Sequence, residues 1–141
     1  MNKLTMTTLT MNHPDTTERV TEIYAGLAAG DPGPLTRALA PDVVLHVPGT
    51  HALAGSHRGR DTVLGFLLET RELTDDGERI ELLDVLSGRD HTAALCRVTA
   101  TRPGRPDLDN HTIHLVRFAG DQIAEIWLHN RDDITVNAFW S

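Results

Sequence analysis

The sequence predicts an α+β domain in which three N-terminal helices pack on a strongly curved, mostly antiparallel sheet. Three observations carry that prediction. Apolar residues recur at helical intervals through the first part of the chain, the period falls to two in the second, and tight-turn signals punctuate that second part at strand-length spacing. Helices followed by a run of strands are the order of an α+β domain, with the helices covering one sheet face and a cavity left at the open end of the curved sheet.

The elements follow in order. Residues 1–14 are polar, carry Met1, Met6 and Met11, and are expected to form a disordered tail with any of the three methionines as the start, ahead of a single domain over 15–141. Asp15 and Glu18 have the spacing of a capping box, and Val20, Ile23, Tyr24, Leu27 and Ala28 make the apolar stripe of a helix ending near Gly30. Asp31-Pro32-Gly33-Pro34 breaks it, residues 35–39 make a second short helix, and Pro41 stops that one. From Asp42 the alternation of Val43, Leu45 and Val47 with Val44 and His46 predicts a strand that Pro48 ends. Residues 48–58 read as a loop. Gly59-Arg60-Asp61 opens a third helix whose Val63, Leu64, Phe66, Leu67 and Leu68 predict burial on two sides, with Asp61 favourable at the positive end of the helix dipole. Strands are predicted over 79–87, 91–101, 109–119 and 122–130, joined by Ser87-Gly88-Arg89-Asp90, a looser Pro103-Gly104-Arg105-Pro106 connection, and Ala119-Gly120-Asp121. A turn or short helix runs from Arg131 toward Trp140.

Composition narrows the function. With 141 residues, 40% of them hydrophobic and 23% charged, the chain has the size of one globular domain. Thirteen basic against twenty acidic residues give a net charge of −7, and the basic residues do not cluster, so neither nucleic acid nor a membrane surface is an expected partner. No apolar stretch is long enough to span a bilayer and the start lacks a secretory pattern, so the cytoplasm is the expected location. Cys96 is the lone cysteine, set in an apolar run, and reads as a buried inert thiol. No Gly-rich phosphate loop or nucleophile elbow occurs, so no cofactor is expected. His111 and His114, three apart on a strand, face opposite sides and cannot readily chelate one ion together; a histidine-and-carboxylate site assembled across strands is the alternative, but no close H-x-H or H-x-x-x-H spacing supports it, so no metal is expected.

Several segments, taken together, resemble the SnoaL-like branch of the nuclear transport factor 2-like (NTF2-like) superfamily. They are Asp42-Val43-Val44-Leu45-His46-Val47-Pro48-Gly49, Leu53-Ala54-Gly55-Ser56-His57-Arg58-Gly59-Arg60-Asp61, His114-Leu115-Val116-Arg117-Phe118, Gly120-Asp121-Gln122-Ile123-Ala124-Glu125-Ile126-Trp127, and the Phe139-Trp140 ending. The resemblance implies the family's cone-shaped fold and one small-molecule pocket, and the polyketide cyclase branch implies acid/base ring closure. In the limonene epoxide hydrolase branch an Arg–Asp pair two apart on one strand meets an Asp placed two after a Trp on another. Here Arg97 and Trp127 align with that pattern, but Thr99 and His129 stand at the carboxylate positions, so that acidic set is absent.

The resemblance therefore points to His129 as the proton carrier, with Asp132 as the nearby acid and Arg97 or a neutral His46 holding a developing oxyanion. Histidine suits the task because it titrates near neutrality; the plain alternative is a partly exposed structural residue. Tyr24, His46, His51, Phe66, Thr99, His114, Trp127 and Trp140 are the expected substrate contacts. For each a packing role is the competing account. His51 and His57 flank the loop that the family places at the pocket mouth. The leading reading is a cofactor-free enzyme of secondary metabolism performing cyclisation, isomerisation or dehydration on a small apolar or aromatic substrate. The alternatives are a non-catalytic binding or association module and an epoxide-opening enzyme using Asp132. The resemblance also implies a homodimer through the outer sheet face, where Arg117 and Glu125 are expected to project.

Overall fold

A computed structural model describes residues 14–141; the expected tail and the side chain of Asp15, with its capping role, lie outside the described residues. The elements are α1 (Pro14–Ala28), α2 (Gly33–Ala38), β1 (Leu39–Val47), β2 (Gly55–Arg58), α3 (Arg60–Leu73), β3 (Arg79–Ser87), β4 (His91–Ala100), β5 (Leu108–Ala119), β6 (Gln122–Asn130) and α4 (Asp133–Trp140). The six strands form one open, curved sheet in the order β2-β1-β6-β5-β4-β3. β1 and β6 run parallel; every other neighbouring pair is antiparallel.

The helices pack by their expected stripes. On α1, Val20, Ile23 and Tyr24 are buried and Leu27 continues the row one turn later. On α3, Val63, Phe66, Leu67 and Thr70 have the same spacing and face the sheet. The expectation that α3 is buried on two sides is corrected: Leu68 is 57% exposed and Leu73 lies at the surface, so the helix covers the sheet with one face only. Gly59 precedes α3 at φ +97, a left-handed conformation that suits glycine, and its N–H donates to the Val43 carbonyl at 2.7 Å.

Two further boundaries differ from the sequence reading, for one reason. The predicted second helix stops at Ala38, and β1 begins at Leu39 rather than Asp42. Pro41 is carried inside the strand because the β1–β6 register shifts between Leu39 and Val44, the kind of irregularity where a residue without an N–H is tolerated. The Leu39 carbonyl is satisfied there by Arg60, whose Nε and terminal nitrogen donate to it at 3.0 and 2.8 Å. The loop expected over 48–58 contains β2, which pairs with β1 through Val44–Arg58 to Val47–Gly55.

Candidate functional site

The concave sheet face, α1, α3 and α4 enclose a cavity of about 140 Å³. Residues two apart on a strand share a face, and each strand offers the cavity its more apolar parity: Leu45 and Val47 from β1, Val98 from β4, Ile126 and Leu128 from β6. Along β5 the same rule presents Asn110, Thr112, His114 and Val116. A polar row therefore crosses an otherwise apolar wall.

His114 is the centre of that row. Its Nδ1 lies 2.6 Å from the Tyr24 hydroxyl, which α1 brings down from the opposite wall, and 3.9 Å from the buried Cys96 thiol. Enclosure in the cavity wall pushes the imidazole down to about 4, so it is neutral at pH 7. Burial raises the Tyr24 hydroxyl well above 10, with the neighbouring Cys96 acting in the same direction, and it raises the Cys96 thiol to about 11. The thiol is an inert wall group, as its apolar setting in the sequence suggests.

The rest of the polar lining is also neutral or nearly enclosed. Asn110 Nδ2 donates to Asn130 Oδ1 at 2.9 Å, leaving Asn110 Oδ1 buried with no hydrogen-bond partner among the described residues. The Thr112 hydroxyl donates to the His129 carbonyl at 3.1 Å. His51 is buried on the loop after β1; its Nδ1 accepts from Leu53 N–H at 3.2 Å, which puts the ring proton on Nε2. Burial lowers its pKa, with the Pro48 backbone giving only a partial counterweight, and Nε2 makes no well-formed hydrogen bond.

The structure separates the expected site residues by strand face. Tyr24, His51, Phe66, His114 and Trp140 line the cavity. Arg97, Thr99, Trp127, His129, His46 and Asp132 do not, and these expectations are corrected. Arg97 projects from the convex face, where its guanidinium makes a two-pronged pair with Asp109 at 2.8 and 2.8 Å. Thr99 shares its parity. Trp127 lies on the convex face between His46 and His91, ring centroids 5.6 and 5.9 Å away, and His129 follows it there, exposed. His46 bridges Ser56 Oγ at 3.0 Å and the Glu125 carboxylate at 2.5 Å, while Arg117 holds the other Glu125 oxygen at 3.1 Å. The His46 and Arg117 contacts hold Glu125 below its ordinary pKa. Asp132 is the N-cap of α4, accepting from Thr135 N–H at 3.2 Å and the Thr135 hydroxyl at 2.7 Å. Those bonds keep it ionised.

Asn110, Thr112, Asn130, Thr70 and Glu78 line the cavity and were not singled out by the sequence reading. The first two were legible, since they share the parity of His114. Among the described residues no group of three His, Cys, Asp or Glu side chains is placed to hold a metal ion, and no helix is long and apolar enough to cross a membrane.

Comparison with known proteins agrees with this architecture. The family model of the SnoaL-like domain matches residues 20–126. The chain belongs to the SnoaL-like family. This SnoaL-like domain is 38% identical over 123 residues to the uncharacterised protein Rv0034 of Mycobacterium tuberculosis, covering 86% of this chain and 93% of that one. Among solved structures it is similar to Bal32a from a soil-derived mobile gene cassette, with TM-score 0.87, 26% identity, and coverage of 92% and 99% of the two chains. It is also similar to a Xanthomonas campestris protein of unknown function with a cystatin-like fold, with TM-score 0.81, 26% identity, and coverage of 88% and 96%. The four helices on a curved six-stranded sheet are the NTF2-like fold that the sequence predicts.

Proposed function

We propose that this SnoaL-like domain is a cofactor-free acid/base enzyme that cyclises, isomerises or dehydrates a small, largely apolar molecule, with the Tyr24–His114 pair taking the role first expected of His129. The observation that carries this reading is the 2.6 Å contact between the Tyr24 hydroxyl and His114 Nδ1 on the cavity wall. Nδ1 is occupied, so Nε2 is the ring nitrogen that addresses a ligand. A neutral pair of this kind has two proton arrangements. With Tyr24 donating to Nδ1, the ring proton sits on Nε2 and can polarise a carbonyl or stabilise an oxyanion. With the proton on Nδ1, Nε2 becomes a base and the Tyr24 hydroxyl proton is released for the ligand. Passing between the two moves a proton across the site without creating charge. Full transfer to a tyrosinate–imidazolium pair is disfavoured, because burial raises the Tyr24 hydroxyl and lowers the His114 imidazole.

The size of the cavity suggests a single-ring substrate, because a dry pocket of about 150 Å³ admits benzene. Deuterium exchange at the α-carbon of cyclohexanone, followed by NMR in D2O, tests the reading without knowledge of the natural substrate. The enzyme is expected to accelerate exchange above buffer, and Tyr24→Phe to lower the rate by about tenfold or more. Exchange indistinguishable from buffer would leave the non-catalytic binding reading, which the weak basicity of His114 also favours. An epoxide-opening role has little support, because Asp132 is engaged in capping α4. We further propose that the protein acts in the cytoplasm, in secondary metabolism, and as a homodimer through the convex face of the sheet.

A further inference from the structure

Glu78 precedes β3 and borders two spaces. On one side is the inner cavity; on the other is a cleft of about 290 Å³ between the α1–α2 turn, α3 and β3. Leu27, Leu67, Thr70, Glu78 and Ile80 belong to both walls, so the carboxyl group stands in the partition between them. Among the described residues no Lys or Arg lines the inner cavity. Tyr24 and His114 are neutral there, and burial lowers His51 as well. Glu78 is thus the one carboxyl group of that wall among the described residues.

Its cationic neighbour stands on the cleft side. Arg71 lines the cleft only, its side chain packed beside Gly77 and Gly30. Burial disfavours the Glu78 carboxylate, while the Thr70 hydroxyl and the Arg71 charge work the other way. An enclosed carboxylate gains most from a cation that reaches it on the side where the protein supplies none. That side is the cavity.

We propose that Glu78 forms an anionic subsite at the throat of the cavity, taking the ammonium group of a small apolar amine whose ring fills the inner space. Benzylamine has the required shape, since its ring matches the cavity and one methylene carries the ammonium toward the partition. The proposal does not rest on the acid/base reading, because it uses a different part of the wall and is read by binding alone.

The test is calorimetric titration of the full chain at pH 7 with benzylamine, benzyl alcohol and benzoate, probes of one shape and three charges. Benzylamine is expected to bind about tenfold tighter than benzyl alcohol, and benzoate most weakly. Glu78→Gln is expected to remove the amine advantage while leaving benzyl alcohol affinity within about twofold, which also shows that the variant keeps its cavity. Asp31→Asn, which alters the other carboxylate of the cleft, is expected to leave the advantage in place. Equal binding of amine and alcohol by the unmodified chain, binding of neither, or an amine advantage that survives Glu78→Gln would each overturn the proposal. Loss of ketone exchange in Tyr24→Phe with the amine preference intact would bear on the acid/base reading and leave this one standing.

Discussion

At the scale of single residues, the decisive contrast is between two histidines on opposite sheet faces. His114 is held neutral by enclosure; His129 stands exposed. The depressed pKa of His114 is also a statement about stability. The unfolded chain protonates this side chain below its ordinary 6.5, whereas the folded chain resists until about 4. Between those values the unfolded state binds more protons, so stability falls as pH falls through that window and the loss levels off below it. The size is about 3 kcal/mol. His51, also lowered by burial, adds a loss of the same sign. Carboxylates held down by partners, such as Glu125 and Asp132, add a loss of the same sign that begins as the pH falls through their ordinary values, at the acid end of that window and below it. Urea denaturation between pH 7 and pH 4 is expected to show His114→Gln with a markedly flatter pH dependence than the unmodified chain; parallel curves would show that His114 is not enclosed.

At the scale of elements, α4 is the piece that closes the cavity, and its position depends on its first turn. Asp132 caps the helix, which then sets Val136 and Trp140 against the cavity and buries Phe139 completely. Asp132→Ala is expected to cost about 1 kcal/mol in urea denaturation, and Asp132→Asn close to nothing, because asparagine caps equally well. A loss of ketone exchange in the asparagine variant at unchanged stability would instead give Asp132 a chemical role. Elements were the most legible level of the sequence. The boundaries of β3 and β6 follow directly from period two and the turn signals around Gly88 and Gly120. The miss at β1 came from reading Pro41 as a stop, when a register shift accommodates it. β2 was hidden because four residues of Gly-Ser-His-Arg carry no hydrophobic alternation.

The site was less legible, for a reason that operates on the sheet as a unit. A strand has two faces, and a reading displaced by one residue moves every side chain from one to the other. Taking Arg97, Thr99, Trp127 and His129 as pocket residues followed a resemblance at the wrong parity. The chain itself marks the inner face by the small and apolar residues Ala94, Cys96 and Val98 on β4, with Ile126 and Leu128 on β6. His114 was placed better because its parity was judged from its neighbours. Glu78 lay beyond reach of any strand pattern, since its position depends on how α3 and the start of β3 meet.

At the scale of the whole molecule, the fold divides labour between the two sheet faces. The concave face encloses the cavity, while the convex face carries the His46–Glu125–Arg117 network, Trp127, and the exposed apolar side chain of Ile113. Such a face suits a second copy of the chain. Light scattering coupled to size exclusion is expected to give a dimer that Ile113→Lys converts to monomer without unfolding it. A monomeric unmodified chain would count against that interface.

The central claim is that chemistry belongs to the concave face. The most direct measurement is cyclohexanone α-deuterium exchange by the unmodified chain, His114→Gln and His129→Gln, side by side under identical conditions. The account predicts catalysed exchange that His114→Gln reduces by about tenfold or more and His129→Gln leaves within about twofold. Exchange lost with His129 and retained without His114 would contradict it and return the proton carrier to the convex face.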